Sequence, residues 1–110
     1  MSGRSGSYDP SGYTLEDGFN SVGKGWHPLV QEAFDNVPKG WKITQVKEKF
    51  GALRIYADPD GMMLGTPEDF QRLLGDLESK SVRICEDCGK LGVRSGRGWI
   101  RTTCSDHANV

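Results

Sequence analysis

The chain has 110 residues, of which 35% are hydrophobic and 9% aromatic, and its formal net charge is −1. This length excludes two independent hydrophobic cores, and the charge excludes the large basic excess of a dedicated nucleic-acid-binding protein. The apolar runs fall far short of the roughly 20 residues that a membrane-spanning helix needs, and the first residues lack the apolar stretch of a secretory signal. We therefore expect a cytoplasmic protein without membrane association.

The first 25 residues differ in composition and in apolar pattern from the rest of the chain. They are rich in Gly and Ser and show no periodic apolar pattern, which is typical of a flexible segment. Four apolar residues are nevertheless spaced through them: Tyr8, Tyr13, Leu15 and Phe19. Part of the segment could therefore lie along the domain or become ordered on a partner. We predict a flexible N-terminal segment over 1–25 and a single compact domain over 26–110, which includes a zinc module over 80–110.

A helix and a β-hairpin are predicted next. Apolar residues recur at helical spacing over 28–36, and Pro28 suits the first turn of a helix. Residues 41–50 and 53–57 alternate between apolar and polar, and Gly51 provides the turn between two strands. A slip in this alternation between Ile43 and Val46 indicates a β-bulge.

The clearest predicted helix covers 67–79. Four residues form one apolar stripe along it: Phe70, Leu73, Leu74 and Leu77. Thr66 is a suitable N-cap and Pro67 a suitable first helical residue. Gly75 lies inside the helix and indicates either close packing or a local weakness. Together these elements predict an α+β fold, with a small core of helix, hairpin and helix followed by a zinc knuckle and a second hairpin.

Three cysteines and one histidine near the C-terminal end have the spacing of a metal site. Cys85 and Cys88 form C-x2-C, and Cys104 and His107 form C-x2-H, with fifteen residues between the two pairs. An odd number of cysteines leaves one thiol unpaired in a disulfide framework, whereas four ligands close a tetrahedral Zn²⁺ site. A redox pair at Cys85 and Cys88 lacks the βαβ context that such a pair needs. We predict one structural Zn²⁺.

The residues around these ligands suggest a small zinc module. Gly89 follows the C-x2-C pair, where the turn of a knuckle often needs positive φ. Ser95 to Gly98 provide a hairpin loop before the second ligand pair. Residues 84–107 thus resemble treble-clef and zinc-ribbon modules, in which a knuckle, a hairpin and a second ligand pair enclose one zinc.

A wider resemblance extends over the domain. Residues 25–30, residues 46–56 and the zinc pattern with Gly98 and Trp99 are similar to small uncharacterised proteins that bacteriophages and bacteria encode. The resemblance implies a phage or prophage accessory protein rather than a metabolic enzyme, and it supplies no catalytic residues.

Two enzymatic interpretations are disfavoured. Gly18 to Lys24 match the opening of a phosphate-binding loop, but Gly25 stands where a Mg²⁺-binding hydroxyl is needed and no buried strand precedes Gly18. A catalytic zinc needs an open coordination position, whereas four ligands are already present. The other histidine, His27, precedes Pro28 at a helix start, where we expect capping or packing. We predict that the protein is not an enzyme.

Two binding functions remain. The leading hypothesis is a protein-interaction module that binds and modulates a host protein through an apolar loop of adaptable side chains, namely Met62, Met63 and Leu64. These residues could equally cap the core. The alternative is weak binding of single-stranded nucleic acid, with Trp99 as a stacking platform. Its basic contacts are Lys90, Arg94, Arg97 and Arg101, in a stretch (80–110) of net charge +3 against −4 for residues 1–79.

Overall fold

The computed structural model describes residues 12–59, 67–96 and 100–107. Its α-helices are α1 (Leu15–Asn20), α2 (His27–Asp35) and α3 (Glu68–Ser81). Its strands form two antiparallel pairs, β1 (Trp41–Lys49) with β2 (Ala52–Pro59), and β3 (Val93–Ser95) with β4 (Arg101–Thr103). Short 3₁₀ turns cover Lys24–Trp26 and Ser105–His107. This combination confirms the predicted α+β class.

The first hairpin forms with the predicted irregularity. The register of β1 and β2 shifts between Ile43 and Gln45, which confirms the bulge expected there. The bulge keeps Ile43 and Val46 on the buried side although they are three positions apart, an odd spacing that would otherwise put them on opposite faces. Helix α2 begins one residue before the predicted range and ends one residue before its end, which is within the usual variation of helix ends.

The hydrophobic core lies between this hairpin and helices α2 and α3. Its largest fully buried apolar side chains are Trp26, Ile43, Leu53, Leu77, Val30 and Val46. Helix α3 buries Phe70, Leu74 and Leu77 and partly buries Leu73, which confirms the predicted stripe. Within the described residues, no helix is both long enough and apolar enough to cross a bilayer.

The start of α3 and its internal glycine refine two predictions. The helix begins at Glu68 with Pro67 as its N-cap residue, while Thr66 lies outside the described residues. A Cβ built at Gly75 meets no atom within 4 Å, and the residue is exposed. Close packing therefore does not explain this glycine, and the local weakness of the helix is the interpretation that remains.

Parts of residues 12–25 lie against the core, which is the alternative that the sequence left open for this segment. A capping box starts α1, because the Thr14 hydroxyl accepts from Asp17 N–H and the Asp17 carboxylate accepts from Thr14 N–H. Tyr13 N–H donates to Ile43 O at 2.8 Å. Leu15, Phe19 and Val22 also pack on the core, and their burial outweighs the high glycine and serine content.

Candidate metal centre

Four candidate ligand atoms converge at one end of the second hairpin. The ligand atoms of Cys85, Cys88, Cys104 and His107 all lie within 4.8 Å of one another. Cys104 Sγ lies 3.2 Å from His107 Nδ1, Cys88 Sγ lies 3.5 Å from Cys104 Sγ, and Cys85 Sγ lies 3.7 Å from His107 Nδ1. The residues that the spacing predicted as ligands are therefore brought together and could hold a metal ion such as zinc.

These separations match the edges of a tetrahedron around zinc. Bonds of about 2.3 Å to sulfur and about 2.0–2.1 Å to nitrogen imply ligand-to-ligand distances of about 3.5–3.8 Å. The three measured separations lie within a few tenths of an ångström of that range. The other three separations are at most 4.8 Å, so the four ligand atoms are close enough together to surround one metal ion.

The backbone around each ligand pair sets this geometry. In the knuckle, Cys85 N–H donates to Lys90 O at 2.7 Å and Gly89 N–H donates to Cys85 O at 2.9 Å. Gly89 has a φ of 84°, as the sequence predicted for this turn. After β4, the 3₁₀ turn Ser105–His107 brings His107 back over Cys104, and His107 N–H donates to Cys104 O at 3.1 Å.

The four candidate ligands shift one another's pKa values, because their side chains are in hydrogen-bond contact. The hydrogen bond from His107 lowers the pKa of Cys104 to about 6, and the same contact raises the pKa of His107. Burial raises the pKa of Cys85, but backbone N–H groups outweigh it and the net shift is downward. A backbone hydrogen bond lowers the pKa of Cys88, yet burial and the neighbouring thiols raise it overall. The cluster therefore favours thiolate at Cys85 and Cys104, the form that binds metal.

A buried carboxylate joins the knuckle to β4. Glu86 is only 6% exposed, and its Oε2 accepts from Thr102 N–H at 2.8 Å. Burial raises the pKa of Glu86, against the opposing effects of this bond and of Arg101. Arg101 donates to Asp87 at 3.0 Å and lies 3.7 Å from Glu86 Oε1. No local pattern in the sequence indicates the role of Glu86, because its partners Arg101 and Thr102 are 15 and 16 residues away.

The segment before α2 docks directly onto the knuckle. Gly25 N–H donates to Glu86 O at 2.8 Å. A Cβ at Gly25 would lie 1.8 Å from Cys85 O and 2.6 Å from Gly89 N, so only glycine fits this contact. The fully buried Trp26 donates from its indole Nε1 to Ile84 O at 2.9 Å. The candidate metal centre is thus attached to the core through Gly25 and Trp26.

The turn of the first hairpin makes a second attachment. Arg94 Nε donates to Phe50 O at 2.6 Å, and Thr102 Oγ1 donates to Gly51 O at 2.6 Å. These bonds fix the turn between β1 and β2 against β3 and β4. The second hairpin therefore supports a part of the core that is about 50 residues away in the sequence.

The structure describes only some of the residues that the sequence predicted as partner contacts. Several lie outside the described residues: Met62, Met63, Leu64, Arg97 and Trp99. Arg94 is exposed, although its Nε is bound to Phe50 O, and Lys90 is exposed. Arg101, which we predicted as a nucleic-acid contact, is instead paired with Asp87 and Glu86 inside the metal module. This pairing compensates its charge and reduces its availability to phosphate.

His27 has the packing role that the sequence favoured. Its ring stacks on Phe19 with centroids 4.4 Å apart, and its Nε2 lies 2.8 Å from Phe19 O. Because a carbonyl oxygen can only accept, Nε2 carries the proton and donates. Gly18, the first residue of the partial phosphate-loop match, lies in α1, where a Cβ would approach Val30 Cγ1 to 2.9 Å. Both features are thus part of the packing of α1 against α2.

A cavity of about 750 Å³ lies between α2 and the start of α3. Phe70 and Leu73 contribute apolar walls, and Glu32, Glu68 and Asp69 contribute carboxylates. None of the four candidate ligands lines it. The cavity is therefore separate from the metal centre, and its acidic lining disfavours anionic ligands.

Comparison of the chain with models of protein families, with curated proteins and with solved structures finds no match.

Proposed function

We propose that Cys85, Cys88, Cys104 and His107 bind one Zn²⁺ with a structural role. The fit of the ligand separations to a tetrahedron supports this assignment, as does the preference of thiolate and imidazole ligands for zinc. The order of knuckle, hairpin and short helical turn supports a treble-clef-like or zinc-ribbon-like module. The ion would cross-link the knuckle to the end of β4, and all four coordination positions would be filled by protein.

Elemental analysis of the purified protein tests this assignment. We expect about one zinc per chain, and less than that in Cys88→Ser. A folded protein without metal, or one with a disulfide between Cys85 and Cys88, would contradict the proposal. Ser105→Ala is the matched control, because Ser105 is exposed beside the site and provides no ligand in the cluster.

We further propose that the protein is a non-catalytic protein-interaction module, a phage-type accessory protein that acts on a cytoplasmic host protein. The observation that carries this proposal is an exposed aliphatic pair next to the metal centre. Leu91 is 85% exposed and Val93 is 70% exposed. Residues i and i+2 of an extended segment point to the same side. Leu91, which lies just before β3, and Val93 at its start therefore present one exposed aliphatic pair, which a partner could cover.

The charge around this pair indicates the kind of partner. Arg83 lies opposite Gly92, whose N–H donates to Arg83 O at 2.8 Å, and Lys90 precedes Leu91. Within the described ranges, neither Arg83 nor Lys90 has a carboxylate in ion-pair distance. Among the described residues β3 pairs with β4 alone, while Leu91 just before it bridges Ile84. The free edge of Val93–Ser95 is a place where an extended peptide can add. An acidic segment with aliphatic side chains fits this surface.

A photo-reactive amino acid at position 91 tests the interaction surface. We expect a discrete cross-linked protein from position 91 and none from exposed Gln71 on α3. Leu91→Asp with Val93→Asp should weaken binding of the purified partner at least about tenfold, because charged groups would have to be desolvated. Gln71→Asp with Ser79→Asp adds the same charge on α3 as a control. Equal cross-linking at both positions, or equal affinity of both variants, would overturn the proposal.

A further inference from the structure

Phe50 has an unusual backbone conformation for a bulky residue. It lies in the turn between β1 and β2 with a φ of 54°, in the left-handed region that favours glycine. Its side chain is 52% exposed, so burial of the ring does not account for its presence. Residues held in such conformations cluster at functional sites, where the surrounding structure maintains them.

Three hydrogen bonds hold this turn. Gly51 N–H donates to Glu48 Oε2 at 2.7 Å, and Gly51 O accepts from Thr102 Oγ1 at 2.6 Å. Phe50 O accepts from Arg94 Nε at 2.6 Å. Residues of both hairpins therefore hold the backbone that carries the exposed ring. A ligand that binds the ring then loses less conformational entropy, because the backbone is already ordered.

Lysine side chains cover the aromatic rings on this part of the hairpin. Lys49 Nζ lies 5.7 Å from the centroid of Phe50, and Lys47 Nζ lies 5.5 Å from the centroid of Tyr56. Tyr56 is 40% exposed. The register pairs Lys47 with Arg54, two residues from Tyr56, which places Lys47, Lys49, Arg54 and Tyr56 on one face.

The charges on this face are largely uncompensated. Arg54 is paired with Glu78 at 3.3 Å. Lys47, Lys49 and Arg94 form no ion pair with any residue in the described part of the chain. We define the basic aromatic face as Lys47, Lys49, Phe50, Tyr56 and Arg94.

We propose that the basic aromatic face binds single-stranded nucleic acid. Phe50 and Tyr56 would stack on unpaired bases, while Lys47, Lys49 and Arg94 would contact phosphates. Tyr56 lies six residues after Phe50, a span of at most about 20 Å at the usual rise of a strand, so both rings fit one extended strand. The face shares no residue with the protein-interaction surface at Leu91 and Val93, so it goes beyond that function.

The two features together distinguish this ligand from others. Cations alone would suit any anionic surface, and exposed rings alone would suit an apolar one. Rings that alternate with cations suit a ligand in which flat bases alternate with phosphates. Duplex DNA offers phosphates but no accessible base faces, so it should bind more weakly than a single strand.

Fluorescence anisotropy with labelled oligo(dT) and oligo(U) of about 12 nucleotides tests the proposal. We expect micromolar binding at low salt and at least about tenfold weaker binding of a duplex of equal length. Phe50→Gly should weaken binding about tenfold, because it removes one stacking ring. Its thermal stability should be unchanged or higher, since glycine accepts the left-handed conformation without strain. A purely structural role for Phe50 predicts lower stability instead.

The contribution of the lysines to oligonucleotide binding is measured from the dependence of the affinity on salt concentration. Lys47→Gln with Lys49→Gln should lower the slope of affinity against salt by about two phosphate contacts. Lys24→Gln with Lys39→Gln removes the same charge elsewhere and should leave the slope nearly unchanged. Absence of binding at low salt, equal binding of the duplex, or equal affinity of Phe50→Gly would each overturn the proposal. So would binding of polyglutamate as tightly as oligo(dT), which would indicate an acidic protein ligand.

The oligonucleotide experiment is independent of the protein-interaction proposal. Leu91→Ser with Val93→Ser removes the aliphatic pair without placing a new charge next to Arg94, and Phe50→Gly leaves the aliphatic pair intact. Loss of partner binding in one variant and of oligonucleotide binding in the other therefore tests each surface separately.

Discussion

At Gly25 the absence of a side chain lets two distant segments touch through their backbones. Alanine at this position would bring Cβ against Cys85 O and Gly89 N, which are backbone atoms held by the knuckle. We predict that Gly25→Ala lowers the free energy of unfolding by more than about 3 kcal/mol, because overpacking costs most where the neighbours cannot move. Chemical denaturation would measure this loss. Wild-type stability in this variant would show that the docking is looser than the distances indicate.

The metal ligands and Gly25 differ in how far the sequence reveals them. The four ligands are recognisable because each pair is local and because thiol and imidazole groups have few other reasons to recur at this spacing. Gly25 and Glu86 are part of the same site, but their partners are far away in the sequence and their residue types are common. For Arg101 the sequence shows an arginine near an aromatic residue, which predicts a phosphate contact, whereas its ion pairs with Asp87 and Glu86 are visible only in the structure.

Helix α3 contains one residue that lowers its stability and that a substitution could improve. Gly75 lies in the middle of the helix, is exposed, and has no atom within 4 Å of a Cβ position. Gly75→Ala should therefore raise the free energy of unfolding by about 0.5–1 kcal/mol, because alanine restricts the unfolded chain and favours the helix. Thermal unfolding should show a midpoint higher by several degrees. A lower midpoint would mean that the side chain meets an obstacle.

The elements that the sequence predicted well are those with a strong local pattern. Helices α2 and α3 and the bulged hairpin each show apolar periodicity over eight or more residues, and the structure places them within a few residues of the prediction. Helix α1 has six residues and too few apolar positions for a period to be recognised. Its formation depends on the capping box at Thr14 and on burial against the core. The apolar periodicity of a sequence indicates neither of these.

For the whole molecule, the proposed zinc should stabilise more than the C-terminal part. The apparent free energy of binding of a structural zinc, about 10–16 kcal/mol, is comparable with the total stability of a small domain. We predict that EDTA, or Cys88→Ser, unfolds residues 80–107 and also removes the hydrogen-exchange protection of Gly25 N–H, whose acceptor is Glu86 O.

Hydrogen exchange followed by mass spectrometry with and without the chelator would measure this effect. The amides of α3 provide an internal comparison, since they bond within their own helix. Retained protection at Gly25 after complete loss of zinc would show that the attachment to the core survives without the metal.

The indole of Trp26 has a consequence for synthesis on the ribosome. Its ring fills the centre of the core, and its N–H needs the carbonyl of Ile84, 58 residues later. A nascent chain that has not yet reached Ile84 leaves this buried donor without its acceptor, a cost that opposes early closure of the core. Folding should therefore be completed after translation has passed the knuckle, and until then Trp26 is a natural contact for chaperones that bind exposed aromatic residues.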